Sequence, residues 1–361
     1  MDIRYPLRLL SLIFMLCACT AEGQDLVRLG AIASLTGPAG EEGRNWLEGA
    51  ELAVAELKTQ GRAVELYVED DSTVPSKLAG AFRKLVAANK VQAIIGGTWD
   101  FLGETAYPLA RQMRIPFVTP TNPDEIIPEA ERNNPYIFAA GLSLAAEKEA
   151  LKAVLVAERV RSLTIYYPRM SWGEFHAAMM REVAKELKLT ASEVPFPIES
   201  FPANVQADAL NIVKLRSDAV FASIDYNGLD LLTRNFARLH YGPKLFTTQH
   251  LEDAFNLSRE PERFKAAFGV YPAINSASFE QAFEKQYGRH PKVYAAEGYD
   301  AVKFLYQAIA AKVNFGKPPA DFRYEGAAGE YKFPEVGGRS RAIVQTAAKI
   351  MTTRKGRFEP Y

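Results

Sequence analysis

Five short segments carry the residue types that a small-molecule site would use. They are Thr98-Trp99-Asp100-Phe101, Thr119-Pro120-Thr121, Arg169 with Ser171-Trp172, Asp225-Tyr226-Asn227, and His250 with Glu252. Hydroxyls, rings and acids in one place are the mixture that orients and covers a ligand. Thr98 stands just before a helix start near Asp100, where backbone N–H groups attract an anion, although a Thr there also serves as a plain helix cap. Trp99, Trp172 and Tyr226 offer ring faces to a flat or cationic ligand; the alternative for either Trp is core packing. Catalytic patterns are missing. His176, His240, His250 and His290 lack metal-ligand spacing. Met170-Ser171-Trp172-Gly173 lacks the first glycine of a nucleophile elbow. Gly37-Pro38-Ala39-Gly40-Glu41-Glu42-Gly43 has no Lys-Ser/Thr and carries two acids, so it reads as a structural turn and not a phosphate loop.

These segments share one feature: each follows a stretch that reads as a strand. Leu26 to Ala33, Val64 to Val68, Val91 to Ile95, Ile115 to Val118, Ser162 to Tyr167, Asp218 to Ile224 and Lys244 to Thr248 are apolar or alternating. Helical patterns separate them: Arg44 to Gln60, a helix opened by Pro75, Ala145 to Val156, Gly173 to Leu187 and Leu229 to Leu239. Alternation of this kind predicts doubly wound parallel sheets. In such sheets the binding crevice lies beyond the carboxyl ends of the strands, where the five segments fall. The pattern restarts after Asn122 to Pro135, a proline-rich stretch that reads as a crossing between two units. Helices over Ser278 to Tyr287 and Tyr294 to Ala311 are expected to return to the first unit, and Ala342 to Thr346 to the second. The expected division is residues 25–135 with 273–325 in lobe 1, and 136–272 with 326–361 in lobe 2.

A chain of 361 residues exceeds what one core usually organises. Lys+Arg and Asp+Glu both number 43, and there is no basic stripe, so a nucleic-acid partner is not expected. Residues 1–24 read as a targeting segment. Arg4 and Arg8 precede the apolar run Leu9 to Leu16, which is short of the roughly 20 residues that span a bilayer. Leu16-Cys17-Ala18-Cys19 resembles a bacterial lipobox, which implies that Cys19 becomes the lipidated first residue of the mature chain; the alternative is an ordinary cut near Ala21. Cys17 and Cys19 are the two cysteines of the chain, so no disulfide or thiolate ligand is expected beyond them.

Leu29-Gly30-Ala31-Ile32-Ala33-Ser34-Leu35-Thr36-Gly37-Pro38 resembles the branched-chain amino-acid type of periplasmic solute-binding protein that serves ABC importers. Gly49-Ala50-Glu51-Leu52-Ala53-Val54, Glu69-Asp70-Asp71-Ser72, Val91 to Gly97, Ile115 to Pro120, Gly298-Tyr299-Asp300-Ala301 and Gly356-Arg357-Phe358 agree in the same order. The resemblance implies an α/β fold of two Rossmann-like lobes joined by three hinge crossings. It further implies an inter-lobe ligand cleft, a membrane permease as partner, an extracytoplasmic location, a monomer, and neither cofactor nor metal. It puts Thr98 at a ligand carboxylate, Thr119 and Thr121 at a ligand ammonium, with a strand-end turn shaped by Pro120 as the alternative, and Glu252 near an ammonium-pairing acid, with a solvated surface acid as the alternative. Trp172 stands where the family has a tyrosine before a glycine. Trp99 and Asp100 depart from the family pattern and shift the expectation from leucine towards a flat or cationic ligand. A sensory module of the same fold and a ligand-free scaffold are the alternatives to transport.

Overall fold

The computed structural model describes residues 25–319, 321–332, 335–336, 339–340, 343–345 and 347–361. The targeting segment and Cys19 lie outside the described residues.

The chain first lays down β1 (Val27–Ala33), α1 (Gly40–Thr59), β2 (Val64–Asp70), α2 (Pro75–Ala87), β3 (Ala93–Gly96), α3 (Asp100–Met113), β4 (Phe117–Thr119) and β5 (Ile137–Ala139). It crosses into α4 (Leu144–Ala157), β6 (Ser162–Pro168), α5 (Ser171–Leu187), β7 (Thr190–Phe196), α6 (Val205–Leu215), β8 (Ala219–Ala222), α7 (Tyr226–Arg238), β9 (Lys244–Thr247), α8 (Leu251–Leu257) and β10 (Ala267–Pro272). It returns through α9 (Ala277–Tyr287), α10 (Ala295–Ala310), β11 (Arg323–Glu325), β12 (Glu330–Lys332), β13 (Glu335–Val336), β14 (Arg339–Ser340) and β15 (Ile343–Gln345). It ends in β16 (Ala348–Arg354) and β17 (Arg357–Pro360).

Two sheets result. One has the order β11-β12-β15-β5-β4-β3-β1-β2 and the other β17-β16-β10-β9-β8-β6-β7. Their central strands are parallel and flanked by helices, so they are buried on both sides. That is why Ala93–Gly96 and Ala219–Ala222 can be apolar throughout. The chain passes between the sheets three times: after β5, after β10 and after β15. The fold is the expected pair of α/β lobes.

The lobe boundaries need correction in two places. Asn122 to Pro135 does not cross. It holds two 3₁₀ turns, pinned by Asn134 Nδ2 donating to the Tyr107 carbonyl at 2.9 Å, and leads to β5, which pairs with β4 from Phe117↔Ile137. Nor does the end of the chain change lobe at 326. β12 pairs with β15, and Ile343 of β15 pairs with Ala139 of β5, so residues 330–332 and 343–345 belong to the first sheet. Single short strands such as these carry too little periodicity to reveal their sheet. β16 pairs antiparallel with β10 and so adds to the second sheet.

α10 seats on α1 through two glycines. A Cβ on Gly298 would lie 1.9 Å from the Trp46 carbonyl oxygen, and one on Gly49 would lie 1.8 Å from that of Ala295. Backbone therefore meets backbone, which fixes Trp46 beneath the loop that follows β3.

Candidate functional site

A cleft of about 550 Å³ separates the carboxyl ends of the two sheets. From the first lobe it is lined by Pro38, Thr98, Trp99, Asp100, Thr121, Asn122 and Tyr294. The second lobe contributes Pro168, Met170 and Trp172 after β6, then Phe196, Ile198, Phe201 and Pro202 after β7. Ser223, Ile224, Asp225 and Asn227 follow β8, and His250 follows β9. Among the described residues no Lys or Arg lines it.

Thr98 lines the cleft, but its Oγ1 already accepts from the Ser34 N–H and from Trp46 Nε1, both at 3.3 Å. Its hydroxyl proton is what remains for a ligand. Thr121 Oγ1 donates to the Gly97 and Thr98 carbonyls at 3.0 and 2.9 Å, so its side chain braces the loop after β3. Thr119 is buried, accepts the Asn122 N–H at 3.3 Å, and does not line the cleft. These two threonines hold loop shape instead of presenting hydroxyls to a ligand.

Asp100 begins α3. Its Oδ1 accepts the Phe101 N–H at 2.8 Å, and its Oδ2 accepts the Trp172 N–H of α5 at 3.0 Å, across the lobes. Burial raises its pKa, opposed by these two N–H donors. Beside it, Ser171 Oγ donates to Glu104 Oε1 at 3.1 Å. Trp99 is half-buried and meets Phe101 edge to face at 6.0 Å. Trp172 packs 4.2 Å from the His176 ring, centroid to centroid. That imidazole is held by the Trp172 carbonyl at 2.7 Å and by Glu147 Oε2 at 3.2 Å. Both tryptophans therefore have a cleft face and a packed face.

Two expected residues are displaced. Tyr226 opens α7 and lies outside the cleft lining, whereas its neighbours Asp225 and Asn227 are in it. Asp225 caps α7 by accepting the Gly228 N–H at 2.7 Å. Glu252 faces a separate pocket of about 230 Å³ near the hinge and accepts from His290 Nε2 at 2.6 Å. The α8 helix turns it away from the cleft. The turn at Gly37 is structural: Asp70 Oδ1 accepts the Leu35 and Thr36 N–H groups that a phosphate would need, and Gly37 has φ +84°.

Sequence reasoning did not find Phe196, Ile198, Phe201, Ser223 or Tyr294. The alternation Ser192, Val194, Phe196 was the available signal for β7. Ser223 is buried, and its Oγ has no hydrogen-bond partner among the described residues. Behind the cleft, Glu42 of α1 lies 3.6 Å from His250 Nδ1. Burial pushes the Glu42 carboxyl up to about 8 and the His250 imidazole down to about 4. Burial thus disfavours the charged form of both partners in this contact. Among the described residues no cluster has the composition of a metal site, and no helix is long and apolar enough to cross a membrane.

Two sheets joined by three crossings, with an aromatic cleft where their strand ends face each other, define a two-lobe solute-binding protein. The family model described as periplasmic binding protein matches residues 26–331, and the chain belongs to that family of extracytoplasmic binding proteins. Solved structures agree in fold. The substrate-binding protein LivJ of the Streptococcus pneumoniae branched-chain amino acid transporter, solved with isoleucine, superposes with a TM-score of 0.78 at 18% identity, covering 92% of this chain and 98% of that one. The leucine-binding protein LivK of Thermotoga maritima gives 0.77 at 20% identity, with 93% and 98% covered. An ABC-transporter solute-binding protein of R. palustris in complex with benzoate gives 0.75 at 18%, with 93% and 95% covered. No curated protein matches the chain in sequence.

Proposed function

We propose that this protein captures a flat aromatic ligand, neutral or cationic, by closing its lobes around it, and that it delivers the ligand to an ABC permease without chemical change. The observation that carries the reading is the wall composition. Trp99 comes from one lobe; Trp172, Phe196 and Phe201 come from the other, with no Lys or Arg among the described lining residues. Aromatic faces on both sides suit a ring, and their negative quadrupole favours a positive charge on it. The lining acids Asp100 and Asp225 act in the same direction. Thr98 can donate one hydrogen bond, and Ser223 Oγ has no partner among the described residues, which suits a ligand with at least one polar substituent. The relatives solved with isoleucine and with benzoate show the fold holding either an amino acid or an aromatic acid. This cleft, in which Asp100 puts a carboxylate at the start of α3, fits neither ligand's carboxylate there. We further propose that Cys19 anchors the chain by lipid to the outer side of a bacterial membrane, and that it works as a monomer.

Mass spectrometry of ligand carried through purification, followed by calorimetry against leucine, benzoate and tryptamine, tests the reading. Binding of tryptamine or a related ring is the expected outcome. Tight leucine binding with no aromatic or cationic ligand detected would remove it.

A further inference from the structure

We propose that Asp100 sets the ligand specificity of the cleft by occupying, with the chain's own carboxylate, the anion position between two helix N-termini. The inference deepens the function proposed above and rests on that reading of the cleft. Asp100 is the first residue of α3 and Trp172 the second of α5. The first N–H groups of a helix have no partner within the helix and attract negative charge. Here one N–H from each helix is met by the same side chain, Phe101 at Oδ1 (2.8 Å) and Trp172 at Oδ2 (3.0 Å). Asp100 is 5% exposed and lines the cleft. Because the two helices belong to opposite lobes, it also forms a closure contact made by the chain itself.

A ligand carboxylate arriving at this place would meet no free donor from that pair. It would also sit against Asp100, with Glu104 one turn along α3, and like charges at contact distance repel strongly in a partly buried site. Neutral and cationic ligands pay neither penalty. The specificity therefore comes from an exclusion as much as from an attraction.

The experiment compares the full chain with Asp100→Ser, Asp100→Asn and Glu104→Gln, using benzoate and tryptamine as probes in calorimetry. Circular dichroism and thermal melting confirm that each variant folds. The expected result is at least a tenfold rise in benzoate association constant for Asp100→Ser and a smaller rise for Asp100→Asn, which removes the charge but keeps an acceptor. Glu104→Gln, which removes a charge one turn further along α3 that Ser171 already meets, should raise it less than either Asp100 variant. The inference is overturned if the folded Asp100 variants gain no benzoate affinity, if the parent binds benzoate as tightly as they do, or if Glu104→Gln gains equally. Should Asp100→Ser not fold, Asp100→Asn decides alone. Failure of tryptamine to bind the parent, with the benzoate gain intact, would overturn the proposed ligand class and leave this inference standing.

Discussion

Replacing Glu42 with glutamine should stabilise the folded chain by an amount that grows with pH. Glu42 is 2% exposed and neither carboxyl oxygen has a hydrogen-bonding side-chain partner among the described residues. Burial raises its pKa from 4.5 to about 8. Below pH 4.5 the carboxyl is protonated in both folded and unfolded chains and costs nothing extra. Between 4.5 and 8 the unfolded chain releases the proton while the folded chain keeps it, which costs the fold about 1.4 kcal/mol per pH unit. Stability attributable to this residue is thus complete at low pH and is lost as pH rises through 8, by about 5 kcal/mol at most. Glutamine has nearly the same shape and no proton to lose. The ceiling will not be reached in full, because opening the lobes hydrates Glu42 at lower cost than unfolding.

Urea unfolding of the parent and Glu42→Gln at pH 5, 7 and 8.5 measures the difference. It should be small at pH 5 and several kcal/mol in favour of the variant at pH 8.5. Glu297 is likewise raised to about 8 by burial, but it titrates in both proteins and cancels in the difference. A difference that is flat with pH, or that favours the parent, would refute the reasoning. It would mean that Glu42 is ionised in the fold and paired with a protonated His250 across the 3.6 Å contact.

Three further outcomes are expected. Trp172→Ala removes one aromatic wall and should weaken binding of the co-purifying ligand by about 1–2 kcal/mol, roughly five- to thirtyfold, as read by calorimetry; unchanged affinity would mean that the ring only packs on His176. Gly298→Ala forces α10 off α1 and should cost about 1–3 kcal/mol or more. Gly80→Ala, where an added Cβ meets nothing within 4 Å, should instead stabilise by about 0.4–1 kcal/mol, so the two urea midpoints should move in opposite directions. Cys19→Ser should move the exported protein from the detergent phase to the aqueous phase in a detergent-partition assay, and equal partitioning of parent and variant would exclude the lipid anchor.

The alternation of strands and helices was readable in the sequence because central parallel strands and amphipathic helices have distinct periods. Val64 to Val68 and Leu78, Phe82, Leu85 are direct examples. The short strands β5, β12 and β15 were not readable, since a strand of three residues gains its place from its neighbours, and the antiparallel β16 and β17 take theirs from pairing with β10 and with each other. The rule that ligands bind beyond strand ends placed Thr98, Trp99, Asp100, Thr121 and Trp172 in the cleft lining. It failed to give side-chain direction. Thr119 and Thr121 spend their hydroxyls on backbone, and Glu252 is turned to the hinge by α8. Nor could it give Tyr294, which reaches the cleft from the start of α10 with φ +72°; that conformation is set by tertiary contacts and leaves no mark in local sequence.

Lobe closure draws on contacts that the chain makes with itself. Asp100 with Trp172, Glu104 with Ser171, Gln249 with Tyr294, Asp253 with Lys292 and Glu252 with His290 all join elements of opposite lobes. Only a ligand's difference in affinity between open and closed forms shifts their balance, and the apparent dissociation constant is the intrinsic one divided by the fraction already competent. Residues far from any ligand atom therefore belong to the affinity. The Glu252–His290 contact adds a direction: its hydrogen bond raises the His290 pKa above 6.5, with burial opposing, so the charged pair is present at low pH and is lost as pH rises through the raised value. Acidification thus strengthens closure at the hinge while it leaves the protonated Glu42 at rest in the buried interface. Both effects favour the closed form in the same direction of pH, by two groups of the first lobe that each meet the second.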